Sequence, residues 1–415
     1  MAAAAEMFTP IALYMPVCGS KANAIVVIYG YALNAPAARQ AAISLTPFFS
    51  VTVIQREPGL SVRATTPEGV TLCEVSNHTW FSSCGPLNRL LTWLRFQRTV
   101  QRTIRKLRPE LVVTIMPHAL ASLPKAKSYQ LVSCIWDIFP LQDLGSLDRF
   151  LVKRGLKRLA EADVVWASDS YKAELAQEQG QLLARPLVCH NCPPLDYLPE
   201  STFPRDGWLR AELRQQGATL GETSGSILLR AGAVGEYGGI EETLRGMRTL
   251  PEDYIFVMMG RPPAAYKREI LRQIANLGMK RRAFLWDRAD DATWKKVLQG
   301  ADIGHLIHGP FPSGRMTRLY ELNSSLSNNG LFQFMAAGLP IISYVDPRMD
   351  DLFREVPCFR VVRMTKLEDD IQTAWRDLGA NPVLRHQLGK VGRNAHLSKY
   401  NWEKQYSCVI HAIKN

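Results

Sequence analysis

The 415-residue sequence lacks the features that mark membrane-spanning, secreted and repetitive proteins. No apolar run reaches the roughly 18 to 20 residues that a membrane-spanning helix needs. The opening segment, MAAAAEMFTPIALYMP, contains an acidic residue and no basic stretch, so it does not resemble a signal peptide. No internal repeat is present. These absences favour a cytoplasmic globular protein, and the length is enough for two domains of ordinary size.

Cysteine and acidic residues are also scarce. The eight cysteines are scattered singly apart from Cys189 and Cys192, and no second pair stands at zinc-binding spacing. We therefore expect a reducing compartment and no metal site. Lys and Arg total 50 against 38 Asp and Glu, which gives a formal net charge of +12. This excess favours anionic partners, namely nucleotide diphosphates, acidic lipids or nucleic acid.

Short apolar segments alternate with helical patterns along both halves of the chain. Strands are predicted at residues 24–32, 51–55, 70–75, 111–116, 131–136 and 163–167, and again at residues 226–231, 254–259, 283–286, 301–307 and 339–344. Strands that alternate with helices predict βαβ units and parallel sheets. The fold class is therefore α/β.

A proline-rich stretch, NCPPLDYLPESTFP, separates the two halves and predicts an interdomain linker. The predicted divisions are a first domain at residues 1–190, the linker at 191–204, a second domain at 205–398 and a final helix at 399–415. The final helix has one apolar stripe, formed by Trp402, Tyr406, Val409, Ile410 and Ile413.

Two polar residues follow apolar strands in the first half. Asp137 comes directly after the strand at 131–136, and His118 follows the strand at 111–116. Catalytic groups in parallel α/β sheets gather at the carboxyl ends of strands. A carboxylate there can act as a base or stabilise a developing positive charge. Asp137 is therefore the first catalytic candidate and His118 the second, while helix capping is the ordinary alternative for Asp137.

The segment 327–343, SNNGLFQFMAAGLPIIS, predicts a buried helix followed by a buried strand. Ser327 or Asn328 can cap the helix, its apolar positions leave almost no polar face, and Gly338 and Pro340 end it. The start of such a helix offers free amides and the positive end of the helix dipole, which suits phosphate. An ordinary core helix explains the same pattern equally well.

A glycine-rich loop at residues 232–239 joins the strand at 226–231 to the next helix. Its spacing is not G-x-G-x-x-G, because Gly232 is followed by Gly235, Gly238 and Gly239. Glycines let backbone amides approach a diphosphate closely. The alternative is a plain tight turn.

Together these segments resemble the donor-binding region of retaining GT-B glycosyltransferases of family 4. Their donor helix usually reads P-N-K-L-F-E-Y-M-A-A-G-x-P-V-I, and the matching positions here are Asn329, Leu331, Phe332, Met335, Ala336, Ala337, Gly338 and Pro340. The run YNWE at 400–403 resembles the family's last helix, which braces the N-terminal domain. The resemblance implies two Rossmann-like domains facing across a cleft, the first binding the acceptor and the second the nucleotide-sugar.

The chain departs from this family mainly at charged positions. Gly330 stands at the usual Lys, Gln333 at the usual Glu that grips the ribose, and Ser325 at a second acid. Gly238 stands at the usual basic residue of the glycine-rich loop. A glutamine can still hydrogen-bond a diol, but it has no charge. The cations that can substitute are Arg230, Arg261, Arg315 and Arg318.

The resemblance also implies a set of donor-binding residues. They are Gly232, Gly235, Glu236, Tyr237, Arg261, Trp286, Asp287, Arg318, Asn329, Gly330, Leu331 and Gln333. Trp286 and Asp287 stand where GT-B enzymes hold the nucleobase, and a tryptophan can stack on a base ring; a tryptophan at the edge of the core is the alternative. The donor implied is a UDP- or GDP-sugar, with no covalent cofactor and no metal ion required.

A long predicted helix at residues 87–107 has one apolar and one basic side. The basic side, here named the arginine face, consists of Arg95, Arg98, Arg102 and Arg105, with no acid among them. Such a face is either solvated or a dock for anionic lipid. We predict membrane contact, and hence a peripheral location on the inner face of the membrane.

We therefore expect a glycosyltransferase, of the hexosyl and retaining type, in cell-surface polysaccharide or glycolipid biosynthesis. Its acceptor is expected to be a saccharide or a lipid-linked group. A nucleotide-sugar epimerase on the same fold and a non-catalytic binding or scaffold protein are the alternatives. No nucleic-acid partner is expected, because no stacking motif accompanies the basic residues.

Overall fold

The computed structural model describes residues 21–30, 36–56, 66–76, 86–137, 140–199, 207–221, 224–286, 289–309, 329–344 and 350–415. These residues form two parallel α/β units, one in each half of the chain. No helix within these ranges is long and apolar enough to cross a membrane.

The first unit is built on a sheet whose described strands number seven. They are β1 (Asn23–Ile28), β2 (Ser50–Arg56), β3 (Val70–Val75), β4 (Leu111–Ile115), β5 (Gln130–Ile135), β6 (Val164–Ala167) and β7 (Leu187–Val188). The order across the sheet is β3-β2-β1-β4-β5-β6-β7, and every neighbouring pair is parallel. The order therefore reverses direction between β1 and β4, which is where ligands bind in such sheets.

Helices cover both faces of this sheet, which is why its central strands are continuous apolar runs. The described helices are α1 (Pro36–Leu45), α2 (Pro86–Leu107), α3 (Pro117–Ser122), α4 (Ser146–Lys157) and α5 (Ser170–Gly180), with short 3-10 turns at Leu141–Asp143 and Leu159–Glu161. The two sides predicted for α2 are confirmed as to exposure. Trp93, Phe96 and Val100 are buried, and all four residues of the arginine face are exposed.

The second unit repeats the plan with six strands among the described residues. They are β8 (Ser226–Ala231), β9 (Tyr254–Met259), β10 (Ala283–Trp286), β11 (Ile303–Leu306), β12 (Ile341–Tyr344) and β13 (Phe359–Val362). The order is β10-β9-β8-β11-β12-β13, again all parallel, so the reversal falls between β8 and β11. The predicted α/β class with two Rossmann-like sheets is confirmed.

The helices of the second unit complete its two outer layers. They are α6 (Gly207–Gln215), α7 (Ile240–Gly246), α8 (Ala264–Asn276), α9 (Asp291–Gly300), α10 (Asn329–Ala336), α11 (Asp350–Glu355), α12 (Leu367–Ala380) and α13 (Pro382–Ser398), with 3-10 turns at Met247–Thr249 and Met364–Lys366. α10 is the predicted buried helix, and Gly338, with φ of 61°, ends it in the left-handed conformation as expected.

The last helix, α14 (Trp402–Lys414), returns to the first unit as predicted. Trp402 is 1% exposed, its indole nitrogen donates to Ser44 Oγ at 2.8 Å, and its ring stacks on Tyr406 with centroids 4.7 Å apart. Trp166 of β6 packs edge-on against both rings. The apolar stripe of α14 therefore belongs to the core of the first unit.

Candidate functional site

The glycine-rich loop 232–239 lies at the carboxyl end of β8, where the strand order of the second sheet reverses. Backbone hydrogen bonds fix it to neighbouring strand ends. The Gly232 amide donates to Met259 O at 2.9 Å, and the Gly309 amide donates to Tyr237 O at 2.7 Å. The loop is thus held in one conformation at the edge of the sheet where a parallel α/β fold binds its ligands.

Close backbone approach explains a glycine at the end of the next strand. A Cβ atom on Gly260 would lie 1.8 Å from the carbonyl oxygen of Gly232. The following residue, Arg261, is exposed, and the described residues give its side chain no hydrogen bond or ion pair. The structure therefore places this predicted donor-binding cation at the rim of the loop.

Arg230, near the end of β8, is buried under the glycine-rich loop and is only 3% exposed. Its Nε donates to Ala233 O at 3.0 Å, and its Nη1 donates to Ile307 O at 2.8 Å and to Gly238 O at 3.3 Å. Burial lowers the pKa of Arg230 to about 10, so it remains a cation at neutral pH. A Cβ atom on Gly238 would lie 3.0 Å from its Cζ. The guanidinium therefore lies beside the position where the family usually carries a basic side chain.

A buried polar network continues from Arg230 to the start of α7. His305 Nδ1 lies 3.4 Å from Arg230 Nη1, and His305 Nε2 lies 2.9 Å from Thr243 Oγ1, which donates to Gly239 O at 2.7 Å. Burial, together with the charge of Arg230, holds the pKa of His305 well below its usual value. A neutral His305 that accepts at Nδ1 and donates at Nε2 satisfies all these contacts. The network fixes the loop from below.

The predicted donor helix α10 presents one polar side chain within an apolar surface. Gln333 is 7% exposed, and its Oε1 accepts a hydrogen bond from the indole nitrogen of Trp294 on α9 at 3.1 Å. Leu331 is fully buried in the core, and Gly330 is buried as well. The Oδ1 of Asn329, at the first position of α10, is buried and has no hydrogen-bond partner among the described residues. The polar side chains of α10 are therefore Asn329, at its first position, and Gln333, at its fifth.

Trp286, predicted to face the nucleobase, is half-buried at the end of β10. Its indole nitrogen donates to Gln216 Oε1 at 3.2 Å, and its ring meets Trp208 edge-on with centroids 6.4 Å apart. In the glycine-rich loop, Glu236 is exposed and Tyr237 is half-buried. The remaining predicted cations and acid lie outside the described residues; they are Asp287, Arg315 and Arg318.

α10 also contacts residues that follow the last strand of the first unit and precede α14. The ring of Phe332 lies 5.6 Å from that of His190, which follows β7, and stacks on Tyr400 with centroids 5.7 Å apart. The Tyr400 hydroxyl donates to Glu355 Oε2 at 3.0 Å. The helix predicted to hold the donor is thus connected to the chain segments that join the two units.

His118 lies at the reversal point of the first sheet, just beyond β4. Met116 lies two residues before His118. Its φ of 76° and ψ of 152° are strained for any residue with a side chain. The His118 ring stacks on Tyr29 with centroids 5.8 Å apart, and its Nε2 lies 3.9 Å from Asp148 Oδ1. Burial lowers the pKa of His118, and Asp148 opposes that shift. Backbone strain next to a partly exposed imidazole is typical of a functional site.

Asp137 lies beyond β5, the strand next to β4, and its side chain is half exposed. The buried ammonium of Lys172 lies 3.6 Å from Asp137 Oδ1 and donates to Trp136 O at 2.7 Å. Asp169 caps α5 and places its Oδ2 3.9 Å from the same ammonium. Burial lowers the pKa of Lys172, and both carboxylates oppose that shift. Sequence reasoning missed Lys172, although a lysine three residues after a capping aspartate in a helix of the core was a usable signal.

The polar groups fall into two sets that suit different chemistry. The second unit offers backbone amides and cations at one sheet edge, which suits a phosphate-bearing ligand. The first unit offers an imidazole and a carboxylate at the corresponding edge, which suits proton transfer or charge stabilisation. Within the described ranges, no group of three or more His, Cys, Asp or Glu side chains is placed to hold a metal ion.

Comparisons by sequence find no relatives, since no family model matches the chain and no curated protein matches it. Comparisons of structure do find similar folds. Sucrose-phosphate synthase from Thermosynechococcus elongatus superposes with a TM-score of 0.70 at 15% identity, covering 95% of this chain and 98% of that one. HepE of Anabaena, solved in complex with UDP and glucose, gives 0.65 at 14% identity over 95% and 99% of the chains.

WaaG, a glycosyltransferase involved in lipopolysaccharide biosynthesis, gives a TM-score of 0.65 at 14% identity, covering 94% of this chain and 99% of that one. Because each match covers 94% or 95% of this chain, all three similarities run through both units. The chain therefore has the GT-B glycosyltransferase fold, with two Rossmann-like domains facing across a cleft.

Proposed function

We propose that the protein is a nucleotide-sugar-dependent glycosyltransferase of the retaining, hexosyl-transferring type that resembles family 4. The supporting observation is the position of α10, whose sequence matches the family's donor helix and which immediately precedes β12 in a GT-B fold. Helices run antiparallel to the strands in βαβ units, so α10 starts at the sheet edge that carries the glycine-rich loop. Both segments offer N–H groups to phosphate.

The proposed donor is a UDP- or GDP-sugar. The amides of Gly232, Gly235 and the start of α10 contact the diphosphate, and Arg261 lies at its rim. Gln333 contacts the ribose, and because Trp294 occupies its Oε1, it offers N–H groups to the diol. Trp286 and Asp287 flank the base. The similarity to HepE, which was solved with UDP bound, supports a nucleoside diphosphate as the ligand.

The proposed chemistry takes place at the carboxyl edge of the first sheet. Asp137 stabilises the positive charge that develops on the transferred sugar, or accepts the proton of the acceptor, and Lys172 holds its carboxylate in place. His118 is the alternative catalytic group. Transfer of this kind needs no covalent cofactor, and we propose that it needs no metal ion.

The proposed acceptor is a saccharide or a lipid-linked group at the inner face of a membrane. The arginine face of α2 is exposed. Leu87 and Leu90, near the start of α2, are 57% and 37% exposed. Phe150 on the adjacent α4 is 56% exposed. Exposed cations beside exposed apolar groups suit an anionic lipid surface. We therefore propose a peripheral, cytoplasmic location.

Two other functions compete with this proposal. A non-catalytic binding protein is favoured by Gly238, Gly330 and Gln333, which replace charged residues of the family. A nucleotide-sugar epimerase would use the same donor site without an acceptor. Product analysis separates the three, because only a transferase forms a glycosylated acceptor and only an epimerase converts the donor to its isomer.

The experiment is a panel of UDP- and GDP-sugars, first by thermal shift and then with membrane-extracted acceptors. A ligand at 100 times its dissociation constant adds about 2.7 kcal/mol to the free energy of unfolding, which is a readily measured shift. Transfer of a labelled sugar to an acceptor, slowed about 100-fold or more by Asp137→Asn, is the expected result. Nucleotide-sugar binding without transfer to any acceptor would favour the binding protein, and absence of any binding would contradict the donor site.

A further inference from the structure

The buried arginines of the described residues differ in whether a carboxylate lies near them. The described residues contain four of them, Arg158, Arg210, Arg230 and Arg282. Arg158 and Arg210 each pair with a carboxylate at 2.8 Å, and nearby carboxylates favour the charge of Arg282. Arg230 is the most deeply buried of the four, yet no described carboxylate pairs with it. A buried charge without a counter-charge is unfavourable, so this position calls for an anion.

The contacts of Arg230 point to where that anion binds. Nε and Nη1 are occupied by the carbonyl groups of Ala233, Gly238 and Ile307, which border the glycine-rich loop. The described residues supply no acceptor to Nη2. One edge of the guanidinium therefore holds the loop, and the other remains for a ligand oxygen. Since five N–H groups fan out in one plane, a guanidinium can serve both at once.

We propose that Arg230 is the buried counter-charge of the donor diphosphate, in place of the basic side chains that this chain lacks at Gly238 and Gly330. The inference rests on the proposed donor site and adds which residue supplies its charge. Space on the loop agrees with this exchange, because a side chain on Gly238 would meet the guanidinium of Arg230 at 3.0 Å. A side chain on Gly238 would therefore require the guanidinium of Arg230 to shift.

Binding of inorganic pyrophosphate, UDP, GDP and the nucleosides uridine and guanosine to the full chain tests the proposal, measured by isothermal titration calorimetry. Arg230→Gln is expected to lower the affinities for pyrophosphate and for the preferred nucleoside diphosphate about tenfold or more, the size of one hydrogen bond to a charged group. The affinity for the nucleoside is expected to change less than about twofold, because it has no phosphate to lose. Arg230→Lys, which keeps the charge, is expected to lose less than Arg230→Gln.

Arg282→Gln is the matched control. Arg282 is also buried and also donates to three carbonyl groups, those of Leu250, Pro251 and Tyr254, but these lie at the opposite edge of the sheet. It is expected to lower the melting temperature without changing the ratio of diphosphate to nucleoside affinity. A purely structural Arg230 would instead lower both affinities together.

His305→Glu provides a second measurement that does not remove Arg230. It places a carboxylate next to the guanidinium, so it is expected to weaken pyrophosphate binding more than nucleoside binding, whereas loss of the contact with Thr243 alone would lower both affinities together. Folded Arg230→Gln or His305→Glu with wild-type pyrophosphate affinity would overturn the inference and leave the donor site standing. If the wild-type protein bound neither pyrophosphate nor any nucleoside diphosphate, both this inference and the proposed function would be contradicted.

Discussion

Gln333→Ala is the sharpest perturbation of the proposed donor site, because Gln333 is the single polar side chain inside the apolar surface of α10. The substitution removes the carboxamide that is proposed to contact the ribose and leaves the backbone of α10 unchanged. One lost hydrogen bond of this kind is worth about 1 to 2 kcal/mol, so nucleotide affinity is expected to fall roughly 5- to 30-fold. The helix itself is expected to survive, since alanine has the highest helix propensity.

The structure also gives the stability cost of this change. Trp294 loses the acceptor of its indole N–H at 3.1 Å, which costs about 1 kcal/mol of unfolding free energy. Gln55→Ala is a matched control, because Gln55 is a buried glutamine of β2 that donates to Glu74 Oε1 at 3.0 Å, far along the chain from the donor site. It is expected to lose comparable stability with no change in nucleotide affinity.

The assay is calorimetric titration with UDP and GDP, accompanied by thermal melts of each variant. Trp294→Phe adds a third measurement, because it keeps Gln333 but frees its Oε1, and a smaller loss of affinity is expected than for Gln333→Ala. A folded Gln333→Ala protein that binds nucleotide as tightly as wild type would refute the reasoning. Gln333 would then be a core residue whose partner is Trp294 alone.

Three further predictions concern the first unit and the helix α14 that packs on it. Asp137→Asn is expected to lower turnover about 100-fold or more with nucleotide binding intact. Lys172→Met is expected to act through the Asp137 carboxylate, so the double variant should be no slower than Asp137→Asn. Additive losses would contradict the role of Lys172 in positioning that carboxylate. Replacing the four arginines of the arginine face with glutamine is expected to cost about 4 kcal/mol, or nearly a thousandfold, in partitioning to acidic vesicles. Sedimentation with vesicles that is insensitive to this change or to 1 M salt would show that the arginine face is solvated and does not bind lipid. Trp402→Ala is expected to lower the unfolding free energy by about 3 to 5 kcal/mol in chemical denaturation, against almost no change for the 65%-exposed Val383→Ala.

Apolar runs predicted the interior strands well, because both faces of a parallel sheet are covered. The bounds predicted for β3, β8, β9 and β10 are those observed. The sequence did not predict β7 or β13. β7 spans two residues, and β13 contains an arginine and an exposed valine, so both owe their conformation to pairing with β6 and β12 rather than to their own pattern.

Long-range contacts explain what the sequence could not show about the site. The network that fixes the glycine-rich loop joins Arg230, Thr243 and His305, and no spacing rule brings these three together. Likewise Lys172 reaches Asp137 only because α5 packs beside the end of β5. The strained backbone at Met116 is invisible in a sequence, since methionine has no preference for positive φ. Motifs therefore indicated where a candidate site lies, and packing determined which side chains meet there.

The charged residues usual in family 4 that this chain lacks sum to zero formal charge. This balance predicts how the donor site responds when one of those residues is restored. Gly238 and Gly330 remove two cations, and Gln333 and Ser325 remove two acids. Gln333→Glu restores one acid without its cation. A carboxylate accepts hydrogen bonds from a diol more strongly than a carboxamide, so affinity for the bare nucleoside is expected to rise a few-fold. The same charge repels the phosphates, so the ratio of diphosphate to nucleoside affinity is expected to fall, most steeply at low salt, where screening is weakest.

Measuring the nucleoside and diphosphate affinities of Gln333→Glu at two salt concentrations checks each sign separately. If the ratio is unchanged, the carboxylate lies too far from the phosphates to interact, and the missing charges of this chain are independent losses rather than a balanced exchange.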